Sequence, residues 1–184
     1  ARNFVDDDPG ALIDIFVCEI ATGEITMISR SPSGERGNGS STDPSISYDG
    51  SMVAFQSAAT NLSPLDTMPD SDIYARSRTD DSSIVLVSRN ASDAPGNSAE
   101  IQAVISGDGE YVAFTSFSDN LLADDPDTDR DVYLFRLDTG TLELVSYDST
   151  NTVSGNGLSQ NPSLNESGRV VVFYSTGTNL SGDD

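Results

Sequence analysis

The sequence predicts an all-β chain made of β-propeller blades, each of four antiparallel strands. Three observations carry this. One segment recurs about every 59 residues. Each copy holds short strand-like runs set apart by turn residues. No stretch keeps a 3.6-residue apolar period between helix caps.

The recurrence is plainest at Ser47-Tyr48-Asp49-Gly50-Ser51-Met52-Val53-Ala54-Phe55-Gln56-Ser57. It returns as Ser106-Gly107-Asp108-Gly109-Glu110-Tyr111-Val112-Ala113-Phe114-Thr115-Ser116, then as Asn165-Glu166-Ser167-Gly168-Arg169-Val170-Val171-Val172-Phe173-Tyr174-Ser175. A second marker in the same phase is Asp14-Ile15-Phe16, Asp72-Ile73-Tyr74 and Asp131-Val132-Tyr133. A third is Gly37-Asn38, Gly96-Asn97 and Gly155-Asn156, and a fourth is Asn3-Phe4, Asn61-Leu62, Asn120-Leu121 and Asn179-Leu180. Markers in one register make an internal repeat, and the repeat decides the fold.

Within one blade unit, strand A is expected near Ser45 to Ser47, and the Asp-Gly pair that follows is a hairpin signal. Strand B is read as Met52 to Ser57, strand C as Ile73 to Arg78 and strand D as Ile84 to Ser88. Polar turns at Thr22-Gly23, Asp80-Asp81 and Thr139-Gly140 separate C from D. Four antiparallel strands at a fixed period mark a propeller. A two-sheet sandwich has no reason to repeat at this spacing.

The run S-x-D-G-x-x-V-A-F-x-S, followed by N-L, an acidic loop and D-I/V-Y/F, resembles the TolB-like propeller repeats, over nearly the whole chain. The resemblance implies a multi-bladed propeller, often six-bladed, exported from the cytoplasm. It carries over no catalytic residue, since the matching positions are structural. Ser167 departs from the pattern where the other copies have Asp49 and Asp108.

Residues 1–184 read as one propeller segment, with repeats at 3–60, 61–119 and 120–178 and the start of a fourth at 179–184. In this phase the segment holds two whole blades, a C–D half-blade at its beginning and an A–B half-blade at its end. It is expected to be part of a larger propeller, six-bladed or assembled between chains. Open half-blades offer strand edges for such pairing.

Formal charge is −21, from 30 acidic and 9 basic residues, and every basic residue is Arg. Such a surface does not suit nucleic acid or anionic lipid. No run approaches the ~18 apolar residues of a membrane span. The single cysteine, Cys18, lies in Ile15-Phe16-Val17-Cys18 and is expected as a small buried hydrophobe. The recurring aromatics Phe16, Phe55, Phe114, Phe173, Tyr74 and Tyr133 are expected to pack between blades.

Histidine is absent, which excludes Ser-His-Asp, Cys-His and His-metal chemistry in this chain. Carboxylate-pair hydrolysis remains open on numbers alone. The chain is expected not to be an enzyme and to bind no nucleotide cofactor.

The acidic B–C loops are the most suggestive chemistry. Five positions after the Asn of the Asn-Leu marker stands Asp8, Asp66, Asp125 or Asp184; eleven positions after it stands Asp14, Asp72 or Asp131. The third loop adds Asp127 and Asp129, and the second adds Asp70. Alternating carboxylates on a doubling-back loop suit calcium, which takes six to eight oxygens. The candidate ligands are Asp125, Asp127, Asp129 and Asp131, then Asp66, Asp70 and Asp72, then Asp8 and Asp14. The competing reading is that these aspartates cap turns by accepting backbone N–H bonds.

The function expected is an extracellular or periplasmic, non-enzymatic scaffold, calcium-stabilised, with protein partners or self-association through strand exchange. Two alternatives stay open: the propeller domain of a larger secreted hydrolase, peptidase or glycan-active, and a subunit of an extracellular fibre.

Overall fold

The computed structural model describes residues 12–80 and 83–182. Twelve strands occur among them: β1 (Phe16–Glu19), β2 (Glu24–Met27), β3 (Ser41–Ile46), β4 (Met52–Ser57), β5 (Asp72–Ser77), β6 (Ile84–Leu86), β7 (Glu100–Ile105), β8 (Tyr111–Ser116), β9 (Asp131–Arg136), β10 (Thr141–Leu144), β11 (Ser159–Leu164) and β12 (Val171–Ser175). They form two four-stranded meanders, β3-β4-β5-β6 and β7-β8-β9-β10, flanked by the two-stranded sheets β1-β2 and β11-β12. Every pairing is antiparallel. These are the two blades and two half-blades that the repeat phase predicts. Among the described residues no helix is long and apolar enough to cross a membrane.

Strand B stands where its alternating apolar run places it. Strand A does not. It begins at Ser41 rather than Ser45 because a β-bulge lies inside it, between Thr42 and Ser45. Asp43 sits there in the left-handed region, as do Gln102 and Asn161 at the same bulge in β7 and β11. Thr42-Asp43-Pro44 therefore reads as a turn, although it is a bent strand. Strand D is shorter than its apolar run, ending at Leu86, and beyond it the Ile73 N–H of strand C donates to the Ser88 hydroxyl oxygen.

The A–B turn is longer than the two-residue hairpin that Asp-Gly suggests. Gly50 takes φ of 71° and its N–H closes on the Ser47 carbonyl, while Ser47 N–H bonds Met52 O at 3.0 Å. A side chain at this φ would be strained. Asp49 Oδ1 accepts from Ser47 Oγ, Ser51 N and Ser51 Oγ, and these bonds lower its pKa to about 2. The third turn survives the loss of the Asp. Asn165 Oδ1 accepts from Val170 N at 3.0 Å, the bond that Ser47 Oγ makes with Met52 N.

The two remaining markers meet in space. Asn61, Asn120 and Asn179 each offer Oδ1 to the N–H of Asn38, Asn97 and Asn156, at 2.9, 3.0 and 2.9 Å. Asn61 Nδ2 and Asn120 Nδ2 donate back to Arg36 O and Pro95 O. The Asn-Leu and Gly-Asn pairs are thus a clasp between the loop after strand B and the segment entering strand A. Leu62 and Leu121 lie buried beneath it.

Blades pack through their inner strands. β7 touches β3, β4 and β5, and β11 touches β7, β8 and β9. The core between them contains Ile73, Ala75, Ile105, Val112, Phe114, Tyr133 and Phe135. The expected aromatic packing holds in the whole blades. Phe55 stacks on its cross-strand partner Tyr74, and Phe114 on Tyr133, at 5.8 and 5.6 Å between ring centroids. Phe16 and Phe173 hold the same two positions in the half-blades and are only partly buried. Cys18 corrects the sequence reading. It is exposed, whereas the matching residues of the whole blades, Arg76 and Phe135, are buried. Among the described residues β1 pairs only with β2, and no strand B covers its other side.

Candidate metal centre

The three seams between successive blades share one backbone bond. The first residue of strand A donates its N–H to the carbonyl just before strand C of the preceding blade. The three bonds are Ser41 N to Ile13 O, Glu100 N to Ser71 O and Ser159 N to Arg130 O, at 2.7, 2.8 and 2.6 Å. This sets the leading aspartate of strand C beside the next blade. These aspartates are Asp14, Asp72 and Asp131, the residues eleven positions after the Asn of the sequence marker.

All three make one bond in common. Ser29, Ser88 and Ser146, two residues past strand D, donate Oγ–H to Oδ1 of Asp14, Asp72 and Asp131 at 3.0, 2.7 and 2.6 Å. The same Ser oxygens accept the N–H of Ile15, Ile73 and Val132. To this extent the aspartates are structural, although Oδ1 accepts a serine hydroxyl and not the backbone N–H of the turn-capping reading. The second carboxylate oxygen separates them.

Asp14 Oδ2 takes two bonds from the Arg36 guanidinium, Nε at 2.9 Å and Nη2 at 2.5 Å. Its charge is matched within the chain. Asp72 Oδ2 and Asp131 Oδ2 are buried and have no hydrogen-bond partner. Pro95 and Ser154 stand where the first repeat has Arg36, so neither seam has that cation.

Around Asp131 the third loop gathers further carboxylates. Oxygens of Asp125, Asp127 and Asp131 all lie within 4.8 Å of one another. Asp125 is 2% exposed and Asp131 0%. Tyr133 donates its hydroxyl to Asp125 Oδ2, leaving Asp125 Oδ1 buried without a partner. Ser154 Oγ donates to Asp127 Oδ2 at 3.2 Å. Arg130, next to Asp131 in sequence, is taken up by the Phe117 ring and by Gln160. Desolvation, then the charges of Asp125, Asp127 and Asp129, push Asp131 up to about 7, against the Ser146 bond; desolvation raises Asp125 as well. Buried, mutually repelling carboxylates are relieved by a shared proton or by a bound cation. This oxygen-only donor set fits a hard divalent ion.

The remaining sequence candidates are placed differently. Asp129 is exposed and outside the group; its N–H caps Asp127 at 2.9 Å. Asp66 spends both oxygens on the turn, accepting Met68 N at 3.1 Å and Tyr74 OH at 2.6 Å. Asp70 is exposed. Asp14 is ion-paired. Asp8 lies outside the described residues. One acidic residue was not anticipated: Glu100, fully buried at the start of β7, with Oε2 unpartnered. The signal for it was present. Glu100 stands where the other repeats have Ser41 and Ser159.

Four-stranded blades packed through their inner strands, with acidic loops at the seams, define a β-propeller. The solved structures agree on the fold. The chain superimposes on TolB from Acinetobacter baumannii with a TM-score of 0.52 and 17% identity, covering 90% of this chain and 32% of that one. It superimposes on the tricorn protease with a TM-score of 0.56 and 8% identity, covering 88% of this chain and 13% of that one. The chain therefore spans well under two thirds of either protein. No family model matches the sequence, and no curated protein matches it. The likeness shows the propeller fold that the repeat led us to expect.

Proposed function

We propose that the chain is a non-enzymatic propeller scaffold, extracellular or periplasmic, whose third acidic loop holds a calcium ion and whose surface serves protein partners. The observation that carries the metal is the contrast between Asp14, neutralised by Arg36, and Asp131, left with an unpartnered buried oxygen beside Asp125 and Asp127. Oxygen donors without nitrogen or sulfur favour calcium over transition metals. A thermal melt of the chain in calcium and in chelator tests it. Calcium is expected to raise Tm, and Asp127→Asn to reduce the rise. Equal melting in both conditions overturns the calcium reading.

A non-catalytic role is supported by the absence of histidine and by how the remaining carboxylates are spent. The buried ones, Asp66, Asp72, Glu100, Asp125 and Asp131, hold turns and seams where a substrate would not reach. Protein partners are favoured by the net charge of −21, which repels nucleic acid and suits a basic protein surface.

A second reading concerns blade pairing. In β12, Val172 is 67% exposed, whereas the matching residues Ala54 and Ala113 are 0% exposed in the whole blades. β12 also carries Phe173, and β1 carries Phe16, the two halves of the ring pair that the whole blades stack. An edge strand with exposed apolar residues is a template for another strand. We infer that β12 pairs with a strand C of the β1 type, from a further blade or a second copy. Light scattering of the chain across concentration tests the second copy: association is expected, and Val172→Lys is expected to abolish it. A monomer at every concentration overturns copy-to-copy pairing.

A further inference from the structure

The seam between the second and third blades carries an acid pair of its own. Asp72 opens the second blade's strand C and is 1% exposed; Glu100 opens the third blade's strand A and is 0% exposed. The Glu100 N to Ser71 O bond sets them side by side, and Glu100 lies within the electrostatic reach of Asp72 and Asp70. Hydroxyls satisfy one oxygen of each. Ser88 serves Asp72 Oδ1, while Ser116 and Ser118 serve Glu100 Oε1 at 3.1 and 2.6 Å. Asp72 Oδ2 and Glu100 Oε2 are both buried without a partner.

The glycine that all three repeats carry here also leaves room for this glutamate. A Cβ on Gly96 would lie 2.0 Å from Glu100 Oε1. At the matching place in the other repeats, Ser41 pairs with Ser57 and Ser159 with Ser175, each at 2.9 Å, with no charge. The chain thus replaces a satisfied neutral hydroxyl pair by a buried carboxylate that feels the charge of another. Two such groups without a counter-charge are strongly unfavourable. The first seam answers the same need with Arg36.

We propose that Asp72 and Glu100 together hold a second hard divalent cation, which ties the second blade to the third across their seam. Asp72 Oδ2 and Glu100 Oε2 are its protein ligands, with water completing the shell, and Asp70 stands at the exposed end of the same loop. This site is independent of the one at Asp125, Asp127 and Asp131, since the two share no ligand.

Calorimetric titration of the chelator-treated full chain with calcium chloride tests it. Two equivalents are expected for the wild-type chain and one for Glu100→Ser, which installs the residue of the other repeats. Asp127→Asn, in the third loop, is expected to leave the seam equivalent intact. Loss of all binding in Asp127→Asn with no effect of Glu100→Ser overturns the seam site and leaves the third-loop site standing. One equivalent lost only in Glu100→Ser leaves the seam site standing and overturns the other. Folding does not confound the variant: in chelator, Glu100→Ser is expected to melt higher than wild type, because a repulsion has been removed. A higher melt in chelator with unchanged calcium stoichiometry shows a shared proton in place of a cation and overturns the proposal.

Discussion

Arg36 and Asp14 form the only seam in which a buried carboxylate meets a guanidinium among the described seams. The two bonds to Asp14 Oδ2 cross 22 residues of sequence, and the Asp14 side chain is 1% exposed. Removing one partner of such a pair leaves a buried charge uncompensated. Arg36→Ser is expected to destabilise the chain by about 3 kcal/mol in chemical denaturation. Asp14→Asn added to it is expected to recover most of the loss. Full additivity of the two substitutions would mean that the pair does not act as a unit.

The metal-free chain is expected to lose stability as pH rises. Burial pushes Asp72 and Asp131 from 3.8 up to about 7 and Glu100 from 4.5 up to about 8. The folded chain therefore holds protons that the unfolded chain releases between about pH 4 and pH 8. Stability falls through that window as these groups ionise. In chelator, Tm at pH 8 is expected below Tm at pH 5. Saturating calcium is expected to flatten or reverse that fall, because it binds the ionised form. A chelated chain that melts higher at pH 8 contradicts the assignment.

The asparagine clasp is a separate test of fold rather than site. Asn120 accepts Asn97 N and donates to Pro95 O, both at 3.0 Å. Asn120→Ala leaves a backbone donor and acceptor unmet, at a cost of about 2 kcal/mol. Hydrogen exchange should quicken first at Asn97.

Gly96 and Glu100 are expected to be coupled. Gly96→Ala drives a Cβ into the carboxylate and into Ser118 Oγ, so it should destabilise the wild-type chain and weaken calcium binding at the seam. In the Glu100→Ser background the same substitution should cost less. A double-mutant cycle in calcium reads the difference.

Strand B was legible to the residue, because Met52 to Ser57 and Tyr111 to Ser116 combine an apolar run with a glycine turn before it. Strand A was not, since its bulge places Asp43 and Pro44 where they imitate a turn. The acidic loops show the limit more sharply. Equal spacing made Asp14, Asp72 and Asp131 look equivalent, and their Oδ1 bonds are. What differs comes from Arg36 and Glu100, each more than twenty residues further along the chain, and from which loop carboxylates turn inward. Asp127 joins the buried group and Asp129 does not. Spacing along one loop cannot show a partner delivered by the next blade. Reading the repeat for its exceptions, the Glu in a column of Ser, would have found it.

The seams give the blades an order. Their backbones are nearly interchangeable, joined by the same Ser and Asn bonds, so geometry alone would let any blade follow any other. Their charges would not. A blade shuffled so that Glu100 opened onto Asp131 would crowd its carboxylate against Asp125 and Asp127, while Asp72 would face a neutral serine. The substitutions at three equivalent places therefore act as an address, and a chain rebuilt with its repeats transposed would carry the right parts in a sequence that repels itself.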